Sequence, residues 1–192
     1  MGQVLGFVGW PCAGKDVAAE YLRDRYGAVW HDHSNFIRAL AHEHGVRSPS
    51  TTNFSFLFEA RASHAGRGWI AQIVTDRTKA LSQVEPCSIV VITGVRNLAE
   101  VEIYRELEGF QLVRLEADRA LRFRRWCDQP RASNEPRPPA GLAGTWEQFL
   151  SIEAFDGNAN VPDVLALADS MVENNGTPEE LYRALDALMS GA

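Results

Sequence analysis

Lysine is nearly missing from this chain: it occurs only at Lys15 and Lys79, and arginine supplies the rest of the fixed positive charge. Arginine grips carboxylates and phosphates with a flat, two-pronged fork, whereas lysine is a compact point charge. Genomic base composition alone produces such an excess of arginine, so placement rather than number is informative, and one of the two lysines stands in a glycine-rich turn. Cysteine is also scarce. Cys12, Cys87 and Cys127 are odd in number, widely spaced and without a CxxC pair, which argues against a disulfide framework or a zinc knuckle. No apolar run approaches the length of a bilayer span, and MGQVLGFVGW has no basic leader before its apolar stretch. A soluble, cytoplasmic protein is therefore expected. Positive charge is in deficit overall: a formal net charge of -6 argues against a broad polyanion such as duplex DNA and leaves a small anionic ligand compatible.

What is present is enough for one domain, 192 residues of which 45% are hydrophobic. The apolar run 3–8 (QVLGFV) reads as a buried strand, and 16–26 follows with helical spacing. Residues 28–30 read as a second strand leading into the polar turn HDHSN, 36–44 as a helix closed by Gly45, and 46–53 as a loop. Helical periodicity returns over 54–64 and 69–81. Residues 88–92 (SIVVI) are uniformly apolar, as a central parallel strand should be. A helix over 99–107, a strand over 110–116 and a basic helix over 119–127 come next, before 130–144 breaks all periodicity as a loop or lid. A helix over 146–155, a last short strand within 165–173 and a helix over 178–189, entered through a Thr177/Glu180 capping box, complete the chain. No internal repeat is visible. Strands alternating with helices predict a three-layer α/β/α fold with a parallel sheet, whose ligands sit beyond the carboxyl ends of the strands.

At the end of the first strand, Gly9-Trp10-Pro11-Cys12-Ala13-Gly14-Lys15-Asp16 has the GxxxxGK spacing of a phosphate-binding loop. Gly9 ends the strand in a tight turn, Gly14 admits the backbone to the phosphates, and the amides opening the next helix point at the anion, aided by the helix dipole. Lys15 then bridges the β and γ phosphates. The nucleotide site expected on this pattern comprises Gly9, Pro11, Cys12, Ala13, Gly14, Lys15, Asp16 and Val17. Asp16 stands where a serine or threonine hydroxyl usually reaches magnesium. Its carboxylate either holds the ion, directly or through water, or simply complements the helix dipole.

The run GWPCAGKDVAAEYL resembles the GKD variant of the P-loop in deoxynucleoside monophosphate kinases and related kinases. VVITGVRNLAEVEIYREL resembles the strand-and-helix signature of dephospho-CoA kinase-like and adenylate kinase-like proteins, and LEADRALRFRRW, TWEQFLSIE and LALADSMVENNGTPEELYRALDAL are similar to the rest of that group, in its order. The resemblance implies transfer of the γ-phosphoryl of ATP, with Mg2+, to a small nucleotide-like acceptor: a nucleoside monophosphate, a deoxynucleotide or dephospho-CoA. It places Lys15 at the ATP phosphates and Arg38, with Ser34 and Asn35, at the acceptor phosphate. Arg61 and Arg67 fall in an acceptor-binding helical region (about 34–81), and Arg96 after Gly94 matches the signature arginine. Arg122 and Arg125, one helical turn apart, and Arg131 match lid arginines (about 119–145) that close on the phosphoryl group, whose transition state spreads charge over its equatorial oxygens.

Two features depart from that pattern. Thr93 stands where the third strand usually ends in Asp, so that either Asp16 or Asp32 compensates or activity is poor, and GLAGTWEQ and FDGNANVP diverge, which counts against a functional role for Glu153. Asp32 either takes the acceptor hydroxyl's proton, contacts magnesium, or makes an Asx turn. His31 and His33, two apart on a strand, share a face that a metal could use, but no third or fourth ligand follows at a recognisable spacing there or beside His42 and His44. Trp10 either shields the nucleotide or packs on a neighbouring helix. The rival reading is a nucleotide-binding sensor with little transfer activity, supported by Thr93; a kinase acting on nucleic acid is disfavoured by the acidic composition.

Overall fold

The computed structural model describes residues 2–46, 51–86, 88–128, 144–158 and 160–191. Its centre is β1 (Val4–Val8), buried at every position. Side chains alternate between the faces of a strand, so Val4 and Val8 enter one core while Leu5 and Phe7 enter the other. β2 (Val29–Asp32), β3 (Val90–Thr93), β4 (Phe110–Glu116) and β5 (Ser170–Glu173) join it in the order β2-β3-β1-β4-β5, every pairing parallel. A parallel sheet needs crossover helices, which cover both faces and explain why its inner strands are apolar throughout.

One face is covered by α1 (Lys15–Tyr26) and α9 (Pro178–Ser190), which bring Ala18, Ala19, Leu22, Leu181 and Leu185 onto Leu5, Phe7, Val91 and Val113. The other is covered by α4 (Trp69–Val84), α5 (Leu98–Tyr104) and α8 (Val161–Ala166), whose Ile70, Val74, Val101, Tyr104 and Val164 pack on Val4, Val90, Ile92 and Leu112. Phe7 has no exposed surface; cutting such a ring to alanine costs about 3–5 kcal/mol. α2 (His33–Glu43) and α3 (Thr51–Ala65) precede α4, and α6 (Arg119–Asp128) and α7 (Trp146–Asn158) lie between β4 and α8 in the chain. Among the described residues no helix is long and apolar enough to cross a membrane.

The three-layer α/β/α architecture matches the sequence expectation, with local differences. β2 runs on through His31 and Asp32, and α2 starts at His33, so HDHSN is a strand end and helix start rather than a turn. Asp32 makes that abrupt change possible: its carboxylate accepts the Ser34 N–H at 2.9 Å as the cap of α2. His33 therefore leaves the strand, and the shared His31/His33 face does not form. α3 begins at Thr51, inside the expected loop, and α8 forms where no helix is expected, its last two residues lying in the stretch expected to hold the last strand. The expected lid falls mostly on residues 129–143, with Arg131, outside the described residues. At the far end, Thr177 and Glu180 make the expected capping box.

Candidate functional site

The pairing register places the ends of β1, β2 and β3 together: Phe7 is opposite Thr93, and Thr93 opposite Asp32. The turns that leave these strands open on one edge of the sheet. The turn after β1 is tight because Gly9 approaches β4 so closely that a Cβ there would lie 2.6 Å from the Leu115 carbonyl oxygen. It continues through Cys12 in the left-handed region at φ 61° and Gly14 at φ 102°. Ala13 N–H donates to Trp10 O at 3.1 Å, closing the loop on itself. Gly14 then caps α1 with no side chain to satisfy the helix's first amides.

Three side chains hold the outside of this loop by its carbonyls. Arg122 Nη1 donates to Pro11 O at 3.4 Å, Arg125 Nη1 to Cys12 O at 3.4 Å, and Asn174 Nδ2 to Ala13 O at 2.8 Å. Arg125 Nη2 also reaches Asn174, at 2.9 Å to its carbonyl and 3.2 Å to Oδ1. No peptide bond among the described residues is cis. In a trans peptide the N–H points opposite to the C=O, so fixing the Pro11 and Ala13 carbonyls outward aims the Cys12 and Gly14 N–H groups the other way. Two amide donors are thereby turned away from these side chains beside a helix N-terminus, an arrangement suited to an anion.

Lys15 lies folded over the same loop, its Nζ donating to Gly9 O at 2.7 Å and Trp10 O at 3.0 Å. Asp16 follows it on α1. Asp16 is exposed to solvent yet flanked by protein on its loop side, and loss of hydration there is the first cause holding its carboxyl above its ordinary value, against the pull of Lys15 and with added repulsion from Asp32 and Glu20. Asp32 and Arg38 both lie within electrostatic reach of it. Asp32 Oδ2 is 3.4 Å from Arg38 Nη1, which donates to Asn35 Oδ1 at 2.8 Å. The structure thus brings Lys15, Asp16, Asp32, Ser34, Asn35 and Arg38 to one edge.

Other expected residues are placed differently. Arg122 is 4% exposed, with Nη1 2.6 Å from Glu153 Oε1 and its Nε donating to Ala117 O at 3.0 Å. Its guanidinium faces the outside of the phosphate loop. Arg125 is half-buried, and loss of hydration is the first cause lowering its pKa. Arg61 is exposed on α3, and among the described residues no ion pair or hydrogen bond fixes it. Arg67 pairs with Glu59 at 3.1 Å and lies over the Phe58 ring. Arg96 stands exposed in the turn after β3. Thr93 is buried and its Oγ1 accepts Trp30 Nε1 at 2.9 Å, so the place expected to carry an aspartate is closed by an indole. Trp10 packs by the Arg122 guanidinium, 6.0 Å from its ring centre, and against the core, the packing alternative of the two expected for it.

Three residues outside the expected set support the site. Asn174, 5% exposed, ties β5 to the phosphate loop. Glu100, 1% exposed, accepts the Arg96 N–H at 2.8 Å and the Asn97 N–H at 3.2 Å, fixing the turn that carries Arg96. Its other oxygen is 3.4 Å from His33 Nδ1, and His33 Nε2 shares a hydrogen bond with the Tyr104 hydroxyl at 2.6 Å. His33 therefore serves as a strut between α2 and α5. Burial, seconded by Glu100, raises the Tyr104 hydroxyl well above its ordinary value, so it stays protonated. The third residue, Glu153, is 6% exposed and pairs with both Arg119, at 3.0 Å, and Arg122. Only Asn97-x-x-Glu100, a capping-box spacing, was readable beforehand.

The sheet order and the Gly9–Asp16 loop together have the fold of P-loop kinases. A shikimate kinase from Acinetobacter baumannii, solved in complex with shikimate, superposes with a TM-score of 0.61 at 17% identity, covering 100% of this chain and 94% of that one. A sugar kinase from Janibacter gives 0.59 at 16% identity, with 98% and 95% covered. Among curated relatives, a UPF0200 protein from Hyperthermus butylicus is 29% identical over 187 residues, covering 97% of this chain and 93% of its own. One from Staphylothermus marinus is 28% identical over 176 residues, with 91% and 85% covered. No protein-family model matches the chain.

Proposed function

We propose that the chain is an ATP-dependent phosphotransferase that moves the γ-phosphoryl group, with Mg2+, onto a small nucleotide-like acceptor. The observation that carries this reading is the phosphate loop held by its outward carbonyls, with Lys15 folded over it. On binding polyphosphate, Lys15 exchanges the Gly9 and Trp10 carbonyls for phosphate oxygens. Bound MgATP supplies the transferable phosphoryl group and the cation that offsets its charge. Asp16 fits that cation, because its carboxyl is crowded by a second carboxylate, Asp32, and a nearby divalent ion relieves the repulsion. Arg38, Ser34, Asn35 and Arg61 would orient the acceptor and Arg96 would flank it. Asp32 can accept a proton from an acceptor hydroxyl, provided that it lets go of Arg38. Arg122 and Arg125 serve by shaping the loop that holds the phosphates rather than by reaching them.

The test is product analysis by mass spectrometry after incubation with MgATP and a panel of nucleoside monophosphates, deoxynucleotides, dephospho-CoA and hydroxy acids. The last class is included because one structural neighbour holds shikimate. Transfer to one class, abolished by Lys15→Ala in a folded protein, supports the reading. A second reading, a nucleotide-binding sensor, is favoured by Thr93, whose hydroxyl is turned to Trp30. Saturable nucleotide binding with no phosphorylated product from the panel would select it.

A further inference from the structure

Glu153 lies far along the chain from the phosphate loop, yet the loop's outer support ends on it. Arg122 Nη1 sits 2.6 Å from Glu153 Oε1 and donates to Pro11 O at 3.4 Å, while Nε donates to Ala117 O at 3.0 Å. The Arg122 guanidinium lies over the Trp10 ring, 6.0 Å from its centre, and over the Phe149 ring, 5.7 Å from its centre. Arg119 Nε holds the second Glu153 oxygen at 3.0 Å. The contact with Oε1 is a close charge pair rather than an aligned hydrogen bond.

We propose that Glu153 is a positioning residue for polyphosphate binding: acting through Arg122, it keeps the Pro11 carbonyl turned outward and so ties α7 to the phosphate loop. This rests on the phosphate-site reading above. A buried ion pair adds little to folding, because desolvation offsets the attraction, and an apolar pair of similar volume often serves as well or better. What the apolar pair cannot do is donate to Pro11 O and Ala117 O at once. Without Glu153, Arg122 becomes a buried cation lacking its partner, and it relaxes toward solvent. The Pro11 carbonyl is then released, and the Cys12 N–H, on the same peptide plane, loses its direction. Cys12 makes the loop sensitive to this loss. Its φ of 61° is uncommon for a residue with a side chain and persists where the surroundings impose it.

The experiment is calorimetric titration of MgADP into wild type, Glu153→Gln, Glu153→Asp and the double variant Arg122→Met/Glu153→Leu, with a thermal melt of each. Losing one charge-assisted contact to the loop corresponds to an affinity about tenfold lower for Glu153→Gln, partly recovered in Glu153→Asp. The apolar pair is expected to melt at or above the wild-type temperature while binding MgADP about tenfold more weakly, which separates positioning from stability. Affinity in the folded double variant within about twofold of wild type overturns the proposal. If wild type itself does not bind, the phosphate-site reading falls as well; if wild type binds and the variants match it, only the role of Glu153 falls.

Discussion

Asn174 Nδ2 donates to the Ala13 carbonyl at 2.8 Å, joining the end of the last strand to the phosphate loop at the end of the first. The Asn174 N–H is in turn held by Glu116 O at 2.7 Å, so the loop is fixed to the frame of the sheet. A Cβ at Gly14 would strike this amide, which explains why glycine is needed there beyond its positive φ.

Replacing Asn174 by alanine removes the partner of a carbonyl in a buried setting and frees Arg125 from its side-chain acceptor. The expected cost is about 1–3 kcal/mol of stability, with nucleotide affinity lowered by about tenfold. Urea unfolding and MgADP titration of the variant check both; unchanged affinity with reduced stability would restrict Asn174 to folding.

Asp16 gives a pH dependence whose sign is fixed by its surroundings. Its carboxyl is held above 3.8 in the folded protein, first by loss of hydration and then, against Lys15, by Asp32 and Glu20. The folded state therefore keeps its proton more tightly than the unfolded one, and stability falls as pH rises from about 3.8 through the folded-state value. Above that window the ionised group opposes folding only slightly, because Asp16 is exposed and solvent screens its charge. Asp16→Asn is expected to melt higher than wild type at neutral pH without nucleotide, with the gap closing in acid below 3.8. A gap that widens in acid reverses the assignment. Where Mg2+ is present with ADP, the same variant is expected to lose part of the stabilisation that the metal adds for wild type, as seen in melts with and without the ion.

Much of the fold was legible because local pattern and burial agree. The β1 strand, the GxxxxGK turn and α1 follow one another within the 24 residues from Gln3 to Tyr26, and β4 has the expected bounds, 110–116. The supports of the site were not legible. Asn174 and Glu153 act across the chain, at Ala13 and Arg122, and nothing in their own neighbourhoods marks them. The shift of His33 from strand to helix was missed because Asp32, which caps α2, looks in sequence like one more polar turn residue. The resemblance places Arg122 at the phosphoryl group, whereas its burial against Glu153 is a contact across the chain that no local pattern carries.

Thr93→Asp tests whether the residue usual in the resembling kinases can simply be restored. Thr93 is 1% exposed and accepts the Trp30 indole N–H, so an aspartate there would be a buried carboxylate with one neutral donor. A loss of about 3 kcal/mol or more is expected, with no gain in phosphoryl transfer. Higher turnover at equal stability would show that Thr93 stands in the reacting part of the site.

On the proposed function, the Cys12 and Gly14 amides and the Lys15 ammonium enclose a polyphosphate. Calorimetric titration of MgATP and MgADP into wild type and Lys15→Ala, with a thermal melt confirming that both are folded, tests it most directly. Saturable binding by wild type, weakened by about tenfold or more in Lys15→Ala, is the predicted result. Absence of binding by folded wild type, or equal affinity in the two proteins, contradicts it.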